Sequence, residues 1–215
     1  MAKGASRLPL SNARSAAANR PNRGERRRSC PVADEVAGSA AKGSTQGSPR
    51  EEPDPESNDR PHVDIFTDGG AIGNPGPGGY GVILRCRGKE RQISGGFRLT
   101  TNNRMELMAA IVGLEALKRP SKVTIHTDSQ YLANAMTRNW ARKWRAQGWM
   151  RGRGRPALNP DLWERLLELV DRHEVRFHWI RGHAGHPENE RADRLSMQAA
   201  SRPDLPADEG YRGEE

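Results

Sequence analysis

The sequence predicts an α/β fold in which helices pack on the faces of a mixed β-sheet. Short stretches that alternate or are rich in β-branched residues are typical of strands, and longer stretches with helical spacing of apolar residues are typical of helices. Three strands come first, and helices and strands then alternate. This order favours a mixed sheet whose ligands bind at the ends of strands.

The first three predicted strands cover residues 63–68 (VDIFTD), 79–88 and 89–99. Because they follow one another with short connections, we expect an antiparallel meander. Two later strands are predicted over residues 122–128 (KVTIHTD) and 174–180 (EVRFHWI).

Helices are predicted from cap residues and from apolar side chains at helical spacing. The Thr-Asn-Asn turn at residues 101–103 caps a first helix, which Pro120 stops. Three more helices are predicted over residues 129 to about 146, 159–173 and 188 to about 200.

Residues 1–60 differ in composition from the rest of the chain. They contain no aromatic residue and few large aliphatic ones, so we expect a disordered extension before a folded domain over residues 61–202. The acidic residues 203–215 are expected to form a flexible tail. The extension has three open interpretations: a basic arm for nucleic acid, an organellar transit peptide, and a tail or start-site artefact without a role.

The 215-residue chain carries a formal net charge of +8 and has an isoelectric point of about 10.1. This balance favours nucleic acid as the partner, ahead of an anionic membrane surface. Two cysteines, Cys30 and Cys86, are too few for a disulfide framework or a CxxC zinc site, which indicates a reducing, cytoplasmic location. No apolar run approaches the ~20 residues of a membrane span.

Four acidic residues lie near the ends of predicted elements. Asp68 and Asp128 end strands, Glu106 lies in the first turn of the first helix, and Asp193 lies in the last helix. For each of them alone, a turn cap, a helix-end acid or an ion-pair partner is the favoured explanation.

As a group, the four acids favour a metal site. Neighbouring carboxylates repel one another unless cations lie between them. Oxygen ligands without thiolates suit Mg²⁺ or Mn²⁺, and two such ions about 3.5–4 Å apart suit phosphodiester hydrolysis. Sequence spacing alone does not show that the four converge.

Four long stretches resemble the signature blocks of the bacterial type 1 ribonuclease H family, in the same order: FTDGGAIGNPGPGGYG, TTNNRMELMAAIVGLEAL, IHTDSQY and WIRGHAGHPENERADRL. The similarity extends over essentially all of residues 62–200. It implies a ribonuclease H-like five-stranded mixed sheet with helices on both faces. It also implies a monomeric endonuclease that hydrolyses the RNA strand of RNA–DNA hybrids, leaving 5′-phosphate and 3′-hydroxyl ends.

The resemblance also assigns roles to individual residues. It implies that two Mg²⁺ ions, for which Mn²⁺ can substitute, are bound by Asp68, Glu106, Asp128 and Asp193. The family's mobile catalytic histidine corresponds to His183, which can protonate a leaving oxygen. Spacing alone would not separate His183 from His186, and Glu188 is a candidate for orienting the ring.

Several polar residues beside the four acids are implied to contact the hybrid: Asn74, Thr101, Asn102, Asn103 and Gln130. Thr101 is expected beside a DNA phosphate. The amides are expected to contact 2′-hydroxyl groups, by which a protein distinguishes RNA from DNA. Turn and cap chemistry is the alternative explanation for the asparagines.

The segment at residues 139–155 (NWARKWRAQGWMRGRGR) combines tryptophans with basic residues and has no acid. It is either a tryptophan-anchored helix with a solvated basic face or a surface for phosphate and sugar contacts. The resemblance places the family's basic protrusion here. We expect Trp144 and Trp149 to pack. The residues expected to face the DNA strand are Trp140, Arg142, Lys143 and Arg145.

Two other functions compete with this interpretation. A non-catalytic hybrid-binding module is disfavoured because all four acids and His183 are present. A DNA-strand transferase or exonuclease on a related fold is disfavoured by the GHAGHPENE loop, the basic segment and the paired asparagines.

Overall fold

The computed structural model describes residues 30–31 and 60–213. The predicted disordered extension, residues 1–60, lies outside the described residues apart from positions 30, 31 and 60. Within the described ranges, none of the helices combines the length and apolar character needed to cross a bilayer.

The strands are β1 (His62–Ala71), β2 (Gly76–Cys86), β3 (Lys89–Thr100), β4 (Lys122–Thr127), β5 (Met150–Arg151), β6 (Arg155–Pro156) and β7 (Glu174–Trp179). Five of them form one mixed sheet in the order β3-β2-β1-β4-β7. The first three are antiparallel, which confirms the predicted meander, and β4 and β7 add in parallel beside β1. This order puts β1, the strand that carries Asp68, at the centre of the sheet.

The helices are α1 (Asn102–Glu115), α2 (Gln130–Thr137), α3 (Trp140–Ala146), α4 (Pro160–Arg172) and α5 (Pro187–Ala200). Helix α1 ends at Glu115, several residues before the predicted stop at Pro120. The predicted single helix from 129 to 146 is wrong. Asn139 takes a left-handed conformation with φ 57°, which ends one helix and starts another at a new angle.

Helices lie on both faces of the sheet, as predicted. A side chain at Gly113 of α1 would meet Ile65 and Val82, whereas one at Gly81 would meet the backbone of Ala192 in α5. Because successive strand residues point to opposite faces, Gly81 and Val82 mark the two sides. Helix α1 therefore covers one face and α5 the other.

The main hydrophobic core lies between α1, α4 and the sheet. Trp163 of α4 is fully buried there, and its ring meets Tyr131 and Trp144 edge to face at centroid distances of 5.4 and 5.9 Å. Trp144 and Trp149 both pack against this core, as predicted. These two tryptophans therefore attach the basic segment to the core of the domain.

Residues 203–213 do not form the flexible tail that their acidic composition suggests. The carboxylate of Asp208 accepts hydrogen bonds from Nε and Nη2 of Arg104 at 2.7 and 2.8 Å, and from the Thr100 hydroxyl at 2.7 Å. The Arg104 side chain is 2% exposed and also binds Asp161 of α4. A buried arginine needs such partners, so the acid of the tail is held inside the domain.

Candidate active site

Strand register brings Asp68 and Asp128 together. Thr67 of β1 lies opposite Thr127 of β4 in a parallel pair, and an aspartate follows each threonine. Neighbouring strands are about 4.8 Å apart, so the two carboxylates emerge side by side. Asp68 lies within β1, opposite Gly81, and not at the end of the strand as the sequence suggested. The strand continues because Gly69 and Gly70 keep pairing with β2.

Glu106 reaches the same place from α1. It lies in the second turn of the helix and not the first, because Thr101 is the N-cap and Asn102 begins the helix. Gly69 makes this approach possible, since a Cβ there would lie 2.3 Å from the carbonyl carbon of Met105 and 2.5 Å from the backbone nitrogen of Glu106. Only glycine lets the helix start sit this close to β1.

Helix α5 contributes Asp193 and Ser196 from the other face of the sheet. The Ser196 hydroxyl donates to Oδ2 of Asp68 over 2.5 Å and lies 2.8 Å from the Asp193 carbonyl oxygen. The glycines at 79 and 81 of β2 admit α5 at this distance, because a side chain at either position would clash with the α5 backbone. The four predicted acids thus come from two strands and two helices that meet at one edge.

The electrostatics show that the acids affect one another. Burial raises the pKa of Asp68 to about 6; the Ser196 hydrogen bond and the nearby His183 oppose this shift, and Asp128 and Asp193 add to it. Burial, with the charges of Asp68 and Asp128, raises the pKa of Glu106 well above its usual range. Buried carboxylates whose pKa values are raised by burial and by neighbouring acids are typical of a functional site, and a cation between them relieves the repulsion.

The arrangement fits a hard divalent cation. Oε2 of Glu106 is buried without a hydrogen-bond partner. Burying an unpaired carboxylate oxygen costs free energy unless a positive group approaches it. Carboxylate oxygens are the donors that Mg²⁺ and Mn²⁺ prefer. Among the described residues, no three His, Cys, Asp or Glu side chains are already arranged to hold a metal ion.

Asp128 is oriented by its neighbours. The Asn189 side-chain nitrogen donates to Oδ2 of Asp128 over 3.2 Å, and the Trp179 indole nitrogen donates to the Asp128 carbonyl oxygen over 3.0 Å. A side chain at Gly182 would lie 2.7 Å from Oδ2 of Asp128. The loop that carries His183 therefore passes directly against this acid.

His183 is exposed in the loop between β7 and α5 and has a positive φ of 52°. Gly185 in the same loop also has a positive φ, of 80°. His183 lies near enough to Asp68 for its charge to affect that carboxyl group. Glu188 does not orient the ring as suggested, since its carboxylate pairs with Arg85. His186 is the N-cap residue of α5 and makes no side-chain cap hydrogen bond.

The predicted amides at the start of α1 form a linked turn beside the acids. Oδ1 of Asn102 accepts from the Ala71 backbone nitrogen over 2.7 Å, and Oδ1 of Asn74 accepts from the Asn102 backbone nitrogen over 3.1 Å. Thr101 is buried and caps the helix through a bond from the Arg104 nitrogen, whereas Asn103 is half-buried. These bonds make the glycine-rich turn and the start of α1 one unit.

Gln130 lies on the opposite side of Asp128. It is exposed and lines a cavity of about 350 Å³ with Trp179 and Arg138. One lining residue, Trp179, donates a hydrogen bond from its indole nitrogen to the Asp128 backbone oxygen.

Within the basic segment, some of the residues expected to face DNA are exposed and others are ion-paired. The Trp140 ring is 37% exposed and lies 5.2 Å from the guanidinium carbon of Arg138, and Lys143 is exposed. Arg142 and Arg145, in contrast, form ion pairs with acids of α4: Arg142 with Asp171 at 2.5 Å, and Arg145 with Glu164 at 3.4 Å. Exposed ion pairs of this type contribute little stability and can exchange for phosphate.

Comparison with known proteins decides the family. The RNase H family model matches residues 60–201. This chain belongs to the ribonuclease H family. It is accordingly an endoribonuclease, a hydrolase of the type that the family is named for.

Similar ribonucleases H come from several bacteria. The chain is 60% identical over 146 residues to the ribonuclease H of Desulforamulus reducens, covering 68% of this chain and 92% of the relative. It is also 60% identical over 149 residues to that of Syntrophus aciditrophicus, covering 69% and 86%. These relatives cover the folded domain and leave most of residues 1–60 unmatched.

Solved structures share the fold. LC9-RNase H1, described as a type 1 RNase H with the type 2 active-site motif, is 35% identical with a TM-score of 0.59, covering 66% of this chain and 72% of that one. LC11-RNase H1, solved in complex with an RNA/DNA hybrid, is 26% identical with a TM-score of 0.50, covering 64% and 96%.

Two residues of this ribonuclease H site were not identified from the sequence. Ser196 lies three positions after Asp193, so helical spacing puts both on one face, and this signal was available. Asn189 lies inside the GHAGHPENE stretch, but nothing in its spacing indicates a bond to Asp128. Both bonds cross between elements, and only the packing of α5 on the sheet reveals them.

Proposed function

We propose that this ribonuclease H hydrolyses the RNA strand of RNA–DNA hybrids with two Mg²⁺ ions, for which Mn²⁺ can substitute, and leaves 5′-phosphate and 3′-hydroxyl ends. The observation that supports this most strongly is the cluster of acids. Burial raises the pKa of Asp68, and Asp128 and Asp193 add to this rise, while the buried Oε2 of Glu106 has no hydrogen-bond partner. Family membership and the hybrid bound by LC11-RNase H1 support the substrate class.

The four carboxylates of Asp68, Glu106, Asp128 and Asp193 would hold the ions. Divalent ions bound there would neutralise the repulsion between the carboxylates and stabilise the charge that develops on a phosphodiester during hydrolysis. Hydrogen bonds from Ser196 to Asp68 and from Asn189 to Asp128 would hold these two carboxylates in a fixed orientation. Carboxylates that are already oriented lose less entropy when they bind a metal ion.

His183 is placed to handle the proton that the leaving 3′-oxygen requires. It is exposed, lies between glycines and is within electrostatic reach of Asp68. Imidazole exchanges protons near neutral pH, so it suits general-acid work at this position.

Selection of the hybrid is assigned to two surfaces on either side of the acids. On one side, the linked turn of Asn74, Thr101, Asn102 and Asn103 would contact 2′-hydroxyl groups and a DNA phosphate. On the other, Gln130 and the exposed groups of the basic segment, Trp140 and Lys143, would contact the hybrid. Arg142 and Arg145 would join them by exchanging Asp171 and Glu164 for phosphate.

All four acids and His183 belong to one chain, and both cysteines are free thiols. We therefore propose that the protein acts as a monomer in the cytoplasm. Light scattering after size exclusion, at concentrations used for cleavage, checks the oligomeric state.

The test uses three end-labelled duplexes of one sequence: an RNA–DNA hybrid, double-stranded RNA and double-stranded DNA. The proposal predicts Mg²⁺-dependent cleavage of the RNA strand of the hybrid alone, with products that a ligase requiring 5′-phosphate and 3′-hydroxyl ends accepts. Cleavage of all three duplexes would contradict the role given to 2′-hydroxyl recognition. Tight hybrid binding without cleavage would indicate a non-catalytic module.

A further inference from the structure

The two cysteines of the chain, far apart in sequence, lie against each other in the structure. Cys86 ends β2 and is 2% exposed inside the main core. Cys30 belongs to the N-terminal extension, is half-exposed and packs on the same core. A side-chain interaction with Cys30 is one of the causes that raise the pKa of the Cys86 thiol, which places the two side chains next to each other.

A backbone contact fixes this part of the extension. The Lys118 backbone nitrogen, just beyond α1, donates to the carbonyl oxygen of Pro31 over 3.4 Å, and Pro31 is buried. Residues 30 and 31 therefore dock between the end of α1 and the end of β2. The position of Cys30 is therefore supported by the backbone of residues 30 and 31 as well as by its own side chain.

The thiol pair lies away from the acids. Arg85, the neighbour of Cys86, pairs with Asp64 at the start of β1, whereas Asp68 pairs with Gly81 further along the same ladder. Strand residues are spaced about 3.3 Å apart, so four residue steps separate the pair from the catalytic edge by more than 10 Å. A change at the cysteines can therefore be measured separately from cleavage.

We propose that Cys30 and Cys86 are an oxidative modification site, at which a small-molecule disulfide such as glutathione disulfide converts the thiol pair into an intrachain disulfide that ties the N-terminal extension to the domain. The Cys30 thiolate attacks glutathione disulfide, forms a mixed disulfide and releases one glutathione thiolate. The Cys86 thiolate then attacks the Cys30 sulfur and releases the second. Two electrons pass from the protein thiols to glutathione disulfide, and the two released thiolates take up protons.

The order of the two steps follows from exposure. Cys30 is open to a dissolved reagent, and Cys86 is not. Burial, together with Cys30, raises the pKa of the Cys86 thiol to about 12, and Arg87 and Arg119 oppose this shift only in part. The thiolate of Cys86 is therefore scarce, so ring closure is the slow step and speeds up as pH rises.

The disulfide would close a loop of residues 30–86. A cross-link of this span restricts the unfolded chain and stabilises the folded one. We expect the melting temperature to rise by roughly 5 °C or more, given that 1 kcal/mol corresponds to about 2–4 °C in a chain of this size.

The experiment treats the reduced full-length chain with glutathione disulfide at pH 7 and pH 9. Peptides are then mapped by mass spectrometry under non-reducing conditions. The expected product is a Cys30–Cys86 linked peptide in monomeric protein, formed faster at pH 9, with a higher melting temperature that dithiothreitol reverses. Cleavage of the RNA–DNA hybrid is expected to be unchanged, so the outcome does not depend on the proposed catalytic site.

Cys30→Ser is the matched control, because it leaves the buried Cys86 and the core intact. It should form no intrachain link and show no rise in melting temperature under the same treatment. Glutathione fixed on Cys30 without ring closure after prolonged treatment at pH 9 would overturn the proposal. So would a disulfide that links two chains in place of residues 30 and 86 of one chain.

Discussion

The Ser196 hydroxyl of helix α5 donates a hydrogen bond to Oδ2 of Asp68 on strand β1 over 2.5 Å. The bond joins a helix on one face of the sheet to the central acid. Burial raises the pKa of Asp68 to about 6, and this bond is the main influence that opposes the rise. Ser196 therefore helps to keep Asp68 ionised and ready for a cation.

Replacing Ser196 by alanine should shift the acid limb of the pH–rate profile upward. A hydrogen bond to a charged group contributes about 1.5–3 kcal/mol, which corresponds to roughly one pH unit or more. We expect cleavage near pH 6 to fall about tenfold, with little loss at pH 9. Ser201→Ala is the control, because that exposed hydroxyl bonds the Met197 carbonyl oxygen at the end of α5. An unshifted acid limb in Ser196→Ala would show that the bond has no role in ionising Asp68.

Replacing Asp68 by asparagine should stabilise the metal-free protein. The pKa of Asp68 rises from 3.8 to about 6 on folding, so the folded state holds more protons than the unfolded state between these values. Stability of the metal-free wild type must therefore fall as pH increases from about 4 to 6 and stay low above it. At pH 7, Asp68→Asn should raise the free energy of unfolding by on the order of 1–3 kcal/mol.

Urea denaturation in a chelator and in Mg²⁺ checks this prediction. Mg²⁺ should stabilise the wild type and have little effect on Asp68→Asn, because binding to the folded state alone raises stability. A destabilised Asp68→Asn protein in the chelator would mean that the carboxylate is held by partners other than a cation.

Removing Asp208 should destabilise the fold, although the residue lies in the acidic C-terminal segment. Arg104 is buried and depends on Asp208 and Asp161 for its charge partners. Asp208→Ala removes two hydrogen bonds to the buried guanidinium and leaves Asp161 as its remaining charge partner, so it should cost about 1.5–3 kcal/mol in urea denaturation. Asp204→Ala, an exposed acid in the same segment, is the control and should change stability little. Equal stability of the two variants would indicate a loose tail after all.

Replacing His183 by alanine should lower kcat about 100-fold and leave KM for the hybrid nearly unchanged, since a positioned proton donor acts on the chemical step. His186→Ala is the matched comparison from the same loop and should lose much less. Steady-state cleavage of a labelled hybrid at saturating Mg²⁺ distinguishes them. A larger loss in His186→Ala would reverse the assignment of the two histidines.

The strands around Asp68 and Asp128 were predictable because they follow from local patterns, whereas the meeting of the four acids was not. Alternating residues around Asp68 and Asp128 give strands, and parallel pairing then brings the two acids to one edge. The break at Asn139 was missed because apolar spacing continues through it. Asparagine is one of the few residues besides glycine that readily adopts the left-handed conformation, so a local signal was present.

The docked C-terminal segment was missed for a related reason. Residues 203–215 are short of apolar residues, and composition alone therefore predicted a loose tail. Asp208 is held by charge and not by apolar burial, and its partner Arg104 lies more than a hundred residues earlier in the chain. The paired thiols of Cys30 and Cys86 are a second long-range contact that no local pattern contains.

The rate of RNA-strand cleavage against Mg²⁺ concentration, for the intact chain and Asp68→Asn side by side, tests the central claim most directly. The account predicts that the intact chain is inactive in a chelator and gains activity as Mg²⁺ is added. Asp68→Asn should stay inactive at every concentration while still binding the hybrid. Cleavage by Asp68→Asn at a rate near that of the intact chain would contradict the assignment of Asp68 as a ligand of the catalytic cations.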